Sequence, residues 1–514
     1  MATFLRMKYF LVTYGCQMNR SDAERVAAVL ENLGLRPAED ENSARVLGVV
    51  ACSVRQKSTD RVYGRIVAWN ERRDREHIIT FVTGCVLPRD RKKLEKLFDI
   101  LFPIEDLPRF PEFLATHGMS PLSTTTIFGG APPLRSASPL ASAPAFAGSS
   151  ATPLVRTDYW KIAPQTFSAH QAWIPIQNGC NRFCAYCAVP YTRGREVSRA
   201  AGEILDEIAR LLEQGCRSFT LLGQNVNSYG RDWNTAGDGP DSGAAFVRLL
   251  DDAASLIEKS GREAHIYFTS SHPVDMRREV FELMAARPAI AHQVHLPLQS
   301  GDDGVLRRMN RSYTIGRYRE IIGWARDLVP DATLFTDIIV GFPGETAAEF
   351  ERTREAMLEF SFDMAFVAAY SPRQGTAGAK LRDDVPREEK SRRLNILGNL
   401  LKEMGAAKKA RLIGKTMRVL VDGVARGPGV PAPGRDAPPV NSPAMAHPGA
   451  DAARTGGGDP PVEAVVSART NGLLPVHVRL SGEAALDPAR LVGGFIDARI
   501  TGAGALSLAA EYED

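Results

Sequence analysis

Gly179-Cys180-Asn181-Arg182-Phe183-Cys184-Ala185-Tyr186-Cys187 sets three cysteines in a C-x3-C-x2-C run. On one tight loop such a run gathers three thiolates around a metal centre and leaves that centre incomplete. Four thiolates would close the coordination of a cubane iron–sulfur cluster and suit it to electron transfer, whereas three leave one iron free for an outside ligand. The apolar run Trp173–Ile176 just before the loop reads as a strand, and Pro190, Gly194 and the periodic stretch from Glu203 read as the turn into a helix. The loop therefore belongs to a strand's C-terminal end, where α/β folds place their chemistry. A structural zinc knuckle is the competing reading, although zinc usually takes four closed ligands and no fourth Cys or His lies near the loop.

Beyond the loop, strand candidates alternate with helix candidates: Ser218–Leu222, His265–Thr269, Gln293–Leu296, Leu334–Val340 and Met364–Ala369. With Trp173–Ile176 they make six βα units, a (β/α) barrel or an open part of one. Several of these strands end in polar or Gly-rich punctuation: Gly223-Gln224-Asn225, Ser270-Ser271-His272, Gln299-Ser300-Gly301 and Gly341-Phe342-Pro343-Gly344. Polar groups on this edge of a barrel face ligand, although each could equally be an ordinary loop or helix cap. Cys216 precedes the Ser218 strand, at the opposite edge, and reads as packing.

In the N-terminal part, Lys8–Tyr14, Val46–Ala51 and Ile78–Thr83 are strand-like runs separated by helix-like stretches near Asp22–Leu33 and Ser58–Arg73, so an α/β domain with a parallel sheet is expected. Each strand runs into a cysteine: Cys16, Cys52 and Cys85. Strand C-termini of an open parallel sheet share one edge, so the three thiols could meet there. Read from geometry alone, a second three-thiolate cluster and a coincidence of small buried residues both remain open.

The chain of 514 residues is 44% hydrophobic and 24% charged, long enough for two to four globular domains. No stretch is long and apolar enough to span a bilayer, and the N-terminus goes straight into a strand pattern rather than reading as a signal peptide. Seven cysteines are too few for a disulfide scaffold and suit a reducing compartment, so a cytoplasmic location is expected. Lys plus Arg number 63 against 60 Asp plus Glu, so any nucleic-acid surface must be local. The densest basic stretch is helix-like, from Pro386 to Arg411, with Arg387, Lys390, Arg392, Arg393, Lys402, Lys408, Lys409 and Arg411 against Glu388, Glu389 and Glu403. It reads either as a solvated helix face or as a phosphate-binding surface. After it, Met417–Val421, Ala464–Ser467, Val476–Leu480, Phe495–Ile500 and Ala505–Ala509 read as the strands of a small closed β-barrel. Residues 119–165 and 427–461 are Pro-, Ala- and Gly-rich low-complexity segments, read as linker and insertion.

The cysteine spacing, with Tyr186 one residue before the last Cys, resembles the radical S-adenosylmethionine superfamily. Thr13-Tyr14-Gly15-Cys16-Gln17-Met18-Asn19, Cys52-Ser53-Val54-Arg55 and Gly84-Cys85 resemble the N-terminal domain of its methylthiotransferase family, with Val50-Ala51 standing where that family usually has Asn-Thr. Gly414-Lys415-Thr416, the Ala468-Arg469-Thr470-Asn471 turn and the Gly493–Thr501 strand resemble the TRAM domain, an RNA-binding barrel.

The resemblance implies an N-terminal α/β domain over 1–118, a partial (β/α)6 radical domain over 166–410 and a TRAM-like barrel over 411–514. It implies two 4Fe–4S clusters, one on Cys180, Cys184 and Cys187 and an auxiliary one on Cys16, Cys52 and Cys85. It also implies S-adenosylmethionine contacts from Tyr186, from Gly223 and Gln224 to the methionine amino group, from Arg311 to its carboxylate, and from the Asp337–Gly344 region to adenine.

Val189-Pro190-Tyr191-Thr192-Arg193-Gly194-Arg195-Glu196-Val197-Ser198-Arg199 and Leu221 to Tyr229 look most like the bacterial branch that installs a methylthio group at carbon 2 of isopentenyladenosine in tRNA. The implied partners are tRNA, an electron donor such as flavodoxin or ferredoxin, and a sulfur donor, with no membrane. Methylthiolation of threonylcarbamoyladenosine or of a ribosomal-protein aspartate is the alternative within the family. A non-catalytic RNA-binding iron–sulfur protein is the alternative outside it.

Overall fold

The computed structural model describes residues 7–52, 56–118, 158–233, 243–425 and 464–512. The stretch 119–157 and the insertion 427–461 lie outside the described residues. Of those described, one compact unit holds the residues up to Phe167 together with Tyr191–Arg195, and a second holds the rest.

The first unit is built on five parallel strands, β1 (Lys8–Thr13), β2 (Arg36–Pro37), β3 (Val46–Cys52), β4 (Ile79–Cys85) and β5 (Ile100–Leu101), in the order β2-β1-β3-β4-β5. The sequence Val-Leu-Gly-Val-Val-Ala-Cys of β3 is buried at every position, as expected of a central parallel strand covered on both faces. β3 and β4 run on into their cysteines, so Cys52 and Cys85 are direct partners across the ladder. Helix α1 (Gln17–Asn32) starts immediately after Cys16, well before the expected Asp22. Its first turns carry buried Asn19, Ser21, Asp22, Glu24 and Arg25, and such a polar face shows no apolar periodicity in the sequence. Residues 158–165, expected in the linker, pack in this unit: Tyr159 and Trp160 are buried, and the Gln165 N–H donates to the Glu24 carbonyl at 3.0 Å.

In the second unit all six expected strands form: β6 (Gln171–Pro175), β7 (Ser218–Leu222), β8 (His265–Phe268), β9 (Gln293–His295), β10 (Thr333–Val340) and β11 (Met364–Ala369). They hydrogen-bond as two parallel groups, β8-β7-β6 and β9-β10-β11. A parallel bridge between Ile266 and Ile290 links the groups, giving a partial barrel with helices outside. The helix Ala201–Glu213 shows why they pack: Ile204, Ile208, Leu211 and Leu212 recur on one face and are all buried. Cys216 is buried in the same core, with its Sγ 3.7 Å from the Ser218 carbonyl.

The C-terminal strands β12 (Thr416–Val424), β13 (Ala464–Thr470), β14 (Pro475–Leu480), β15 (Phe495–Ala503) and β16 (Leu508–Tyr512) close a barrel in the order β12-β13-β14-β16-β15. The last strand starts three residues later than the expected Ala505. Ala505 instead lies before it, where its carbonyl accepts from Lys409 Nζ at 3.0 Å. This barrel sits against the N-terminal edge of the central strands. The Asn471 side chain accepts from the His292 N–H at 3.2 Å, Gly472 takes a hydrogen bond from Thr333, and Arg418 pairs with Glu263 at 2.7 Å. The turn that resembles TRAM is thus turned inward onto the barrel.

The helix Arg387–Ala410 corrects the reading of a free basic surface. Lys390, Arg393 and Lys409 are buried. Arg393 pairs with Glu345 at 2.6 Å and Glu389 at 2.7 Å, Lys408 with Asp363 at 2.7 Å, and Lys390 with Asp383. Most of the compensating acids come from other elements, so a charge count along the helix could not register them. Arg387, Arg392, Lys402 and Arg411 remain exposed, Arg392 paired with Glu389 at 2.7 Å.

Candidate functional site

The loop after β6 leaves the barrel through Gln177–Asn178, which pairs antiparallel with Val197–Ser198. Cys180 and Cys184 are buried and Cys187 is half-buried. A strap from Met309 to Arg311 holds the loop: Ala185 N–H donates to the Met309 carbonyl at 2.8 Å, and Asn310 Nδ2 donates to the Phe183 carbonyl at 2.9 Å. Phe183 and Asn310 sit at φ +48° and +56°, left-handed conformations that strain residues other than glycine and collect at functional sites. Arg311 Nη1 donates to Cys184 Sγ at 3.3 Å and its Nη2 to the Pro297 carbonyl at 3.3 Å. Burial pushes the Cys180 thiol up to about 11 and the Cys187 thiol up to about 12, so thiolates at these two positions require positive charge beyond the guanidinium.

Around this loop the strand ends carry buried polar atoms without a hydrogen-bond partner: Gln177 Oε1, Gln224 Oε1, Ser271 Oγ, His272 Nε2 and Gln299 Oε1. Ser270 and Gln299 are also left-handed, at φ +65° and +67°. Unpaired polar atoms on strained strand ends are what a polar ligand would satisfy. A Cβ on Gly223 would stand 2.9 Å from Gln177 Oε1, so glycine keeps the backbone open there. Tyr186 packs against an apolar pocket of Ala185, Val305, Met309, Phe342 and Tyr370. Asp337 lies on β10 short of the strand end and pairs with His295 at 2.9 Å.

Sequence reading missed Asp275, which draws this edge together. Its carboxylate accepts from Arg182 Nε at 3.0 Å, Asn225 Nδ2 at 2.8 Å and Arg231 Nη1 at 2.8 Å. Beside it, Arg182, Arg231, Arg277, Arg317 and Trp324 line a cavity of about 510 Å³. Its signal in sequence was the polar run after β8, but nothing local pairs it with residues so far apart.

In the first unit Asn19 lies between two of the three thiols, those of Cys16 and Cys85. Cys16 Sγ is 3.4 Å from Asn19 Oδ1, and Asn19 Nδ2 lies 3.0 Å from the Ala51 carbonyl and 3.8 Å from Cys85 Sγ. Cys52 and Cys85 are buried while Cys16, at the start of α1, is exposed. Gly84 is left-handed at φ +100°, and a Cβ there would come within 2.6 Å of the Ala51 carbonyl. Contact with the Cys52 thiol and burial push the Cys85 thiol well up, against the pull of the Arg193 guanidinium.

Among the described residues, no three Cys, His, Asp or Glu side chains converge closely enough to share a single metal ion. A structural zinc site usually closes on four ligands, with sulfurs at about 2.3 Å from one ion. A cubane asks for something different, one thiolate for each of three separate irons, with donors to the sulfurs, and both triads fit that donor set.

The fold and these sites define a radical S-adenosylmethionine protein with a second, N-terminal cysteine site. Residues 174–357 match the Radical SAM superfamily and residues 8–102 match Uncharacterized protein family UPF0004. The tRNA-2-methylthio-N(6)-dimethylallyladenosine synthase of Thermotoga petrophila is 36% identical over 422 residues, spanning 82% of this chain and 87% of that protein. The synthase of Chlorobium limicola is 37% identical over 424 residues, 82% of this chain and 88% of that one. A solved radical S-adenosylmethionine methyltransferase, TsrM from Kitasatospora setae, overlays with a TM-score of 0.48 at 14% identity, covering 72% of this chain and 74% of that one. The chain belongs to the family of tRNA-2-methylthio-N(6)-dimethylallyladenosine synthases, the radical S-adenosylmethionine methylthiotransferases of tRNA.

Proposed function

We propose that this chain transfers a methylthio group to carbon 2 of N6-isopentenyladenosine beside the anticodon of tRNA, using two molecules of S-adenosylmethionine and two 4Fe–4S clusters. The observation that carries the reading is the pair of cysteine triads, each one ligand short of closing a cubane, one within the UPF0004 match and one within the Radical SAM match of a chain similar to the synthases. An aromatic C–H is neither acidic nor a leaving group, so acid–base or nucleophilic help gains little and a radical route is required.

When loaded, the two sites supply reductive cleavage of S-adenosylmethionine at one and a sulfur acceptor for methylation at the other. Cys180, Cys184 and Cys187 hold the first, and Cys16, Cys52 and Cys85 the second. Arg311, straddling Cys184 Sγ and the Pro297 carbonyl, offers a cation at the mouth of the first site. Gln224 and Gly223, with the unpaired acceptors Gln177 Oε1 and Gln299 Oε1, meet the ammonium end of the ligand. Tyr186 closes the apolar side. The partners are tRNA, an electron donor such as flavodoxin or ferredoxin, and a sulfur donor. A cytoplasmic location suits these partners. Among the described residues no helix is long and apolar enough to cross a membrane.

Mass spectrometry of tRNA nucleosides from cells with and without the protein tests the reading. Loss of the 2-methylthio nucleoside with accumulation of isopentenyladenosine is expected. Unchanged nucleosides, with a mass change on a ribosomal protein instead, would overturn it.

A further inference from the structure

Arg193 follows Cys187 by six residues in the chain, yet its side chain is built into the N-terminal unit. Its Nε donates to Cys85 Sγ at 2.9 Å, and its Nη2 is held by the Asp22 carboxylate. The side chains of Arg193 and Asp22 are 3% and 1% exposed. Taking a guanidinium out of water costs several kcal/mol unless its charge and donors are met. A purely structural arginine would commonly offer both arms of the fork to its carboxylate. Here the fork is divided, with one arm on Asp22 and Nε aimed at sulfur. Asp22 lies one helical turn from Asn19, the other donor near that sulfur, so α1 anchors both donors. Each triad thus has one cysteine contacted by a buried arginine, Cys184 by Arg311 and Cys85 by Arg193.

We propose that Arg193 sets the reduction potential of the N-terminal cluster by donating to the sulfur of Cys85 while Asp22 fixes the guanidinium in place. The inference rests on the reading that Cys16, Cys52 and Cys85 hold a cluster. The reduced form carries one more negative charge than the oxidised form, and that charge spreads onto the ligand sulfurs. A donor at the sulfur therefore stabilises the reduced form more and raises the potential. Arg193 is a positioning residue, since it acts through Cys85.

The test uses the full chain carrying Cys180→Ala, Cys184→Ala and Cys187→Ala, so that only the N-terminal cluster loads. Iron content and the midpoint potential, followed by electron paramagnetic resonance during a redox titration, are read together. Arg193→Met combined with Asp22→Asn leaves the net charge unchanged and no buried carboxylate unpaired, so what it removes is the hydrogen bond. This variant is expected to keep about four irons. Its cluster should shift tenfold or more toward the oxidised form, about 59 mV more negative for a one-electron couple. Asp22→Asn alone should move the potential the other way, and Arg193→Lys should give a smaller negative shift than the double variant. An unchanged potential in an iron-replete double variant overturns the proposal. So does loss of iron in both Arg193 variants, which would make the residue a structural ion pair. Absence of iron in the parent chain overturns the site reading itself and the proposal with it.

Discussion

Arg393 and Glu345 are joined by a 2.6 Å ion pair whose side chains are 4% and 0% exposed. Glu345 also accepts from the Gly341 N–H, so the pair ties the helix Arg387–Ala410 to the turn that follows β10. Removing one partner of a buried pair leaves an uncompensated charge and costs about 3–5 kcal/mol. Arg393→Met should lower stability by that order in chemical denaturation and leave the salt dependence of tRNA binding as it was. A stable variant whose salt slope falls by about 0.7–0.9 per lost contact would restore the helix as a phosphate-binding surface.

Replacing Cys180, Cys184 and Cys187 together by Ala should halve the iron of the loaded protein, from about eight to about four, and abolish cleavage of S-adenosylmethionine. Cys216→Ser should leave both quantities unchanged, because its sulfur is buried in the barrel core, before β7 and away from the strand ends. Metal analysis is the measurement. A single zinc, or iron unchanged in the triple variant, would break the ligand assignment.

The strands were legible because parallel strands buried on two faces read as unbroken β-branched runs, as Val46–Cys52 does. The C-x3-C-x2-C run stood out by its spacing, and Cys16, Cys52 and Cys85 because each ends or follows a readable strand. The start of α1 was hidden by its polar buried face, where Asn19 and Asp22 serve the cysteine site instead of the apolar core. Arg193 on Cys85 was hidden by distance, since 108 positions separate donor and acceptor and no local spacing encodes the pair. The basic helix misled because Glu345 and Asp363 come from other elements. The last strand was placed early because Ala505 and Leu506 look like their strand neighbours, whereas the turn closed by Gly504 and Ser507 delays pairing to Leu508.

Gly84→Ala tests the N-terminal site without touching a thiol. Gly84 holds φ +100°, and an added Cβ would press to 2.6 Å on the Ala51 carbonyl and 3.1 Å on Asn19 Nδ2. Backbone strain of this type costs about 1–3 kcal/mol, before any clash is relieved. In the protein carrying only the N-terminal cysteines, the variant should bind iron poorly, because Asn19 and the Ala51 peptide must shift and both adjoin the sulfurs. Full iron content with an unchanged spectrum would show that the Asn19 bridge does not shape the site.

Glu349 closes the turn after Gly344. Its carboxylate takes both arms of Arg308 at 3.0 Å and the Thr346 N–H at 2.8 Å, while Arg308 also donates to the Gly344 carbonyl at 3.2 Å. Burial would raise the carboxyl, but the hydrogen bonds from Arg308 and Thr346 outweigh it and hold it at about 2, below its ordinary 4.5. With the folded value depressed, the unfolded chain binds more protons across this window, so the contribution is complete above about pH 4.5 and is lost as pH falls toward 2. Glu349→Gln should be less stable than the parent at neutral pH, and the gap should narrow steadily on acidification through that range. The readout is the difference between the two denaturation midpoints at each pH. Because Arg308 directly precedes the Met309–Arg311 strap, the variant should also loosen the loop that carries Cys184, seen as faster release of iron to a chelator at neutral pH. A gap independent of pH would mean that Glu349 acts only as a neutral helix cap.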